Sequence, residues 1–262
     1  MGIWRSARGE RKVMRGLMSG YRKVSDQYIC EIPISLMAVV QNALCQAWRI
    51  LLTEVADGQF SICNAHEDVI TERLYMILGS LHACESEVVK GFALFETPIR
   101  EGNLRNQQGD RLDCQPDLTF RPLRGKISTK NSVTTGIFVE CKPIDSQHPV
   151  GSVYCKEGIS RFIKGDYAWA VDRAIMLAYV RNICELPDGL SYVLEKEPEK
   201  KNYKFVQKLV PLGKTSEGDA IYCTVHDRTL PISPSTIKTA LVTLHHLWLC
   251  PDEPCETSKC RT

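Results

Sequence analysis

The chain has 262 residues, 44% hydrophobic and 24% charged, with a net charge of +2. This is the balance of an ordinary globular domain able to bury a sizeable core. It demands no nucleic-acid partner and excludes none, because local patches matter more than the sum.

The first residues are basic: Arg5, Arg8, Arg11, Lys12, Arg15, Arg22 and Lys23 stand against Glu10 alone. Residues 1–30 therefore read as a solvated arm that could lie on phosphates. The start is too charged for a signal peptide, and no apolar stretch reads as a bilayer span, so a cytoplasmic protein without a membrane partner is expected. Twelve cysteines are scattered along the chain, several in apolar segments (Cys45, Cys84, Cys141, Cys184, Cys223). Free buried thiols are expected rather than disulfides.

Apolar spacing predicts a helix over 34–55, faced by Leu36, Val39, Val40, Leu44, Ile50 and Leu51 and broken by Asp57-Gly58. A second helix is expected over 66–83, with Asn64 as cap, Glu67 and Asp68 in its first turn, and Val69, Leu74, Ile77 and Leu78 inward. Residues 90–97 read as a strand ended by Pro98, and 100–111 as a loop. Strands follow at 116–120 and 136–142, joined by a polar hairpin loop. Residues 152–184 read as helical, with interruptions near Gly158 and Gly165 and clear helical spacing over 168–180. Further strands are expected at 189–194, 203–206 and 220–225, and Pro231 to Pro234 introduce a closing helix over 235–249. The economical reading is a single α/β domain over 1–262, with its core at 66–227 and a C-terminal helix and tail at 228–262.

Two strings carry the chemistry: Pro116-Asp117 and Glu140-Cys141-Lys142. Glu140 and Lys142, two apart on a strand, project from one face, while Cys141 points to the other. Charged groups at the end of a buried strand cost several kcal/mol, roughly, unless paired or bound. Sheet pairing would bring Asp117 alongside, making a cluster of two carboxylates and one lysine that suits a divalent cation and a water nucleophile. The bland alternative is a structural ion pair at a strand end.

A Pro-Asp followed by Glu-X-Lys, each on a strand and flanked by helices, resembles the PD-(D/E)XK nucleases. The resemblance covers roughly residues 68–225. It implies a restriction-endonuclease-like αβββαβ core, a mixed central sheet flanked by helices, with extra helices at both ends of this chain. It also implies Mg²⁺ or Mn²⁺ held by Asp117, Glu140 and the Cys141 carbonyl. Lys142 would assist the attacking water, and a glutamate from the first core helix would join them, Glu72 being the best match with Glu67 and Asp68 as alternates. On this likeness the chain is a nuclease, most simply a DNA endonuclease of prokaryotic defence or a mobile element, with a regulatory protein partner or a homodimer as further implications.

Arg161, with Lys156 and Lys164, could hold scissile or flanking phosphates, and Arg121, Arg124, Lys126 and Lys130 could supply sequence-neutral phosphate contacts. For Lys164 a basic outer helix face is the simpler reading. Tyr167, Trp169 and Tyr179 read as core. His148 reads as an exposed loop residue, and His245-His246 as one core and one solvent ring on the closing helix. The gaps between Cys250, Cys255 and Cys260 do not match the usual zinc spacing. Two rivals remain: a catalytically silent module of the same fold that binds nucleic acid or serves in assembly, and an RNA-cleaving member.

Overall fold

Leu36, Val40, Leu44, Trp48 and Leu51 recur on one side of a helix and are all buried, which fixes helix α1 (Ile34–Ala56) against the sheet. The computed structural model describes residues 29–84, 86–106, 108–129, 131–181, 186–233, 236–252 and 255. The basic residues of the N-terminal arm and Lys130 lie outside them. Cys30, assigned to the arm, belongs to the fold: it bridges Val171, and its N–H donates to the Ala170 carbonyl at 2.8 Å. At 23 residues α1 also has the length and composition of a membrane span, contrary to expectation. Its apolar side is spent on the core.

Helix α2 (Glu67–Ala83) is capped by His66, whose ring accepts from the Asp68 N–H at 3.4 Å, and not by Asn64. Ile70, Leu74, Ile77 and Leu78 face inward, whereas Val69 is exposed. The strand expected over 90–97 is instead a 3₁₀ turn, Phe92–Leu94, entered through Gly91 at φ 88°. Phe92 and Phe95, three apart, are both buried by that tighter winding.

Among the described residues seven strands follow: β1 (Ile99–Arg100), β2 (Leu118–Phe120), β3 (Ile137–Ile144), β4 (Arg173–Val180), β5 (Phe205–Lys214), β6 (Ala220–Ser233) and β7 (Thr236–Leu249). They form one mixed sheet in the order β1-β2-β3-β4-β7-β6-β5. Strands β3, β4 and β7 run parallel, and antiparallel pairs extend the sheet on both sides. A π-helical segment (Val150–Ile159) and helix α3 (Ser160–Lys164) link β3 to β4; helices α4 (Leu186–Leu194) and α5 (Glu199–Asn202) precede β5. From α2 to β4 the order is therefore helix, three strands, helix, strand.

Consecutive residues of β7 show which helix covers which face. His245 reaches Gln41 of α1 at 3.0 Å, and His246 reaches the Tyr154 hydroxyl of the π-helix at 2.9 Å. Neighbours on a strand point to opposite faces, so α1 and the π-helix sandwich the sheet.

Three further elements differ from the sequence reading, each for a physical reason. Residues 168–180 contain β4 rather than a helix, and 236–249 form β7 where a C-terminal helix was expected. Both strands lie inside the sheet with helices on either face, so their apolar runs lack the alternation of a half-buried strand. Residues 189–194 belong to helix α4, with Leu186, Leu190 and Leu194 buried at a spacing of four.

Gly158 and Gly165 mark the irregular crossover as expected. The chain passes from π to α winding just after Gly158, and Gly165, at φ 76°, ends α3. A Cβ on Gly158 would stand 2.5 Å from the Met176 methyl and 3.5 Å from Lys142 Cγ, so the bare backbone lets this segment approach β3 and β4. The expectation of free thiols fails at one pair: Cys63 and Cys255 form a disulfide. Cys30, Cys45, Cys114, Cys141, Cys155 and Cys223 are free and buried, Cys84 is exposed, and Cys184 lies outside the described residues.

Candidate functional site

Register places the two strings side by side. Leu118 pairs with Val139, which sets Asp117 next to Glu140 at the tip of β2. Asp117 Oδ2 accepts from the Cys141 N–H at 2.5 Å, so the carboxylate is held by the backbone of the neighbouring strand. Glu140 is fully buried and Lys142 nearly so, both turned to the face that carries the π-helix and α3. The Lys142 ammonium lies 3.0 Å from Glu140 Oε1, 2.6 Å from Glu67 Oε1 and 3.9 Å from Asp117 Oδ2, and it donates to the Cys141 carbonyl at 2.7 Å. Arg161, from α3, approaches Glu140 Oε1 at 3.1 Å, and the buried Tyr167 hydroxyl donates to Glu140 Oε2.

Three carboxylates thus share two cations, and the charge of Asp68 adds to the negative potential on Asp117 and Glu67. Burial, reinforced by Asp117 and opposed by Lys142, Arg161 and Tyr167, raises the Glu140 carboxyl to about 7. Asp117 and Glu67 also lie above the usual carboxylate range, burial again outweighing the pull of Lys142. For Lys142, burial favours the neutral amine, but Glu140, Asp117 and Glu67 together outweigh it and hold the ammonium above its ordinary value. Glu140 Oε1 sits near two cations without a well-aligned hydrogen bond to either. Asp117, Glu67 and Arg161 form the side of the cluster that solvent reaches.

No family model, curated protein or solved structure matches this chain. The site has to be judged on its own chemistry.

Of the residues singled out from sequence, Asp117, Glu140, Cys141, Lys142 and Arg161 meet here. Glu72 does not: it pairs with Arg100, and Glu67, one of the two alternates, reaches Lys142 in its place. Arg121, Arg124 and Lys126 follow Phe120, at the opposite end of the β2–β3 hairpin from Asp117. Arg121 is half-buried; Arg124 and Lys126 are exposed. His148 stays with Asp145 at 2.8 Å. Tyr167 was legible as a core residue, but its role as donor to Glu140 was not. The available signal was the need of a buried carboxylate for partners.

The C-terminal histidines are both buried, one on each face of β7, correcting the expected helix with one ring in solvent. His246 joins a second polar cluster. His226 Nδ1 lies 2.7 Å from the Tyr203 carbonyl and so carries its proton, leaving Nε2 to accept from Thr224 at 2.7 Å. The Thr224 oxygen then accepts from His246 Nε2 at 2.7 Å, and His246 Nδ1 accepts from Tyr154.

Among the described residues no three His, Cys, Asp or Glu side chains are grouped as metal ligands. In the cluster the Lys142 ammonium holds the point where the carboxylates converge. The donor types nevertheless fit a hard cation, since two carboxylates and a carbonyl are what Mg²⁺ or Mn²⁺ takes. The surplus of negative charge and the under-bonded Glu140 Oε1 favour the same class of ligand.

Proposed function

We propose that this protein is a metal-dependent nuclease that hydrolyses phosphodiester bonds, most simply a DNA endonuclease of the PD-(D/E)XK type. The observation that carries the reading is the convergence of Asp117, Glu140 and Lys142 at the β2–β3 tip, with Glu67 and Arg161 completing an uneven set of charges. The order of elements from α2 to β4 supports it.

Asp117, Glu140 and the Cys141 carbonyl would hold Mg²⁺, which when bound supplies Lewis-acid polarisation of a phosphoryl oxygen and an acidified water. Lys142, kept protonated by its three carboxylates, orients water and offsets negative charge on the phosphoryl oxygens rather than removing a proton. Arg161, half-exposed at the rim, grips a non-bridging phosphate oxygen. Tyr167 fixes one Glu140 oxygen and leaves the other free to turn toward a cation. Glu67 keeps the lysine from withdrawing along the strand.

Incubating plasmid DNA and a matched RNA with the protein in Mg²⁺, then in EDTA, tests this. Metal-dependent cutting of DNA is the expected result, and cutting of RNA alone would reassign the substrate. Absence of metal-dependent cleavage on both would overturn the reading and leave a binding module.

A further inference from the structure

The groove on the far side of the crossover helices has no role in the proposed chemistry. It has a volume of about 720 Å³ and is bounded on one side by Lys156, Ser160 and Lys164, which recur every four residues. The other side comes from α4, α5 and the turn between them and includes Tyr192, Lys196 and Glu199. Three lysines therefore face one carboxylate. Tyr192 is 67% exposed, large for an aromatic ring, and Lys196 sits 3.3 Å from its centroid. The groove adjoins the charged cluster through the backbone: Lys164 shares α3 with Arg161, and Lys156 lies two residues from Gly158, which packs on Lys142.

We infer that this groove binds single-stranded nucleic acid, with Lys156, Lys164 and Lys196 on consecutive backbone phosphates and Tyr192 offering its ring to a base. The inference rests on the phosphodiesterase reading for the identity of the polyanion; the groove itself supplies the charge and the aromatic platform. Cations along a cleft with an exposed aromatic between them match the chemistry of strand binding, in which phosphates give affinity and stacking is indifferent to sequence. A strand seated there runs over α3, past Arg161, to the Glu140 side. The groove thus determines which diester is presented to the cluster.

The test is fluorescence anisotropy of a labelled single-stranded DNA in EDTA, where nothing is cut, titrated over a range of salt concentrations. Lys156→Glu, Lys164→Glu and Lys196→Glu together should weaken binding at least tenfold and lower the salt slope by about 2, near 0.7 per lost contact. Tyr192→Ala alone should weaken it about fivefold with the slope unchanged. Wild-type affinity and slope in the triple variant would overturn the proposal, as would a duplex of the same length binding more tightly than the single strand. If the triple reversal does not fold, Lys→Gln at the three positions reads the same slope. A wild-type protein that binds the strand yet cleaves nothing in Mg²⁺, with binding weakened in the triple variant, sinks the hydrolytic reading and upholds the groove. Cleavage with unaltered binding in the variants sinks the groove alone.

Discussion

The Asp117–Glu140–Lys142 cluster and the His226–Thr224–His246–Tyr154 chain both bury polar groups in the same sheet, but their balances differ. In the histidine chain every polar group has a hydrogen-bond partner, the Tyr154 hydroxyl reaching both His246 and the Met176 carbonyl, and no group is charged, so little remains to attract a ligand. In the acidic cluster the partners do not balance, one carboxylate oxygen lacks an aligned donor, and one side is open to water. A polar core that is fully satisfied contributes to specifying the fold; one left short of positive charge is poised to take up a cation.

Acid should separate the two most strongly. Burial depresses His226 and His245 from 6.5 to about 4, and it also holds His246 well below the ordinary histidine value. At these rings the unfolded chain binds more protons than the folded one between pH 6.5 and 4, which lowers stability by about 3 kcal/mol for each of the first two as pH drops. Glu140, raised from 4.5 to about 7, takes its proton first in the folded chain and offsets about one of them. Urea titrations of the protein and of His245→Gln across that range check it, and the same pH profile in both would deny the burial of that ring. Next in size, Glu140→Ala or Asp117→Ala should cut plasmid cleavage by about 10³-fold, or about 4 kcal/mol in the transition state, while far-UV circular dichroism stays native. Thr224→Val strands a nitrogen on each of His226 and His246 and should cost about 2 kcal/mol of stability, with the cleavage rate per folded molecule unchanged. Tyr167→Phe should slow cleavage about tenfold and raise the Mg²⁺ needed for half-maximal rate, since Glu140 loses the donor that orients it. Smallest of all, Glu72→Ala should alter the rate less than about twofold, because its pairing with Arg100 is partly exposed. Glu67→Ala, by contrast, should lower it visibly in the same assay.

The meeting of Asp117 with Glu140 was legible because two short strings predicted two strands, and an antiparallel pair of that spacing has few registers. Glu67 was harder, since choosing it over Glu72 requires knowing how far round α2 the end of β3 lies. Strands β4 and β7 were misread because burial on both faces erases the period that distinguishes strand from helix. The Tyr167 contact depends on how the chain turns after Gly165, and that turn follows from tertiary packing. Cys63 and Cys255 stand 192 residues apart, a pairing that no local pattern encodes.

That last bond closes the molecule into a lasso. The loop entering α2 and the segment beyond β7 are joined covalently, so β1 to β7 all lie within one ring of chain. A protease that severs the exposed 123–126 stretch would release no fragment until the disulfide is reduced, and the two parts would migrate as one band on a non-reducing gel. Glu67 lies only four positions past Cys63, so a reductant that opens the ring also frees the anchor nearest the carboxylate holding Lys142.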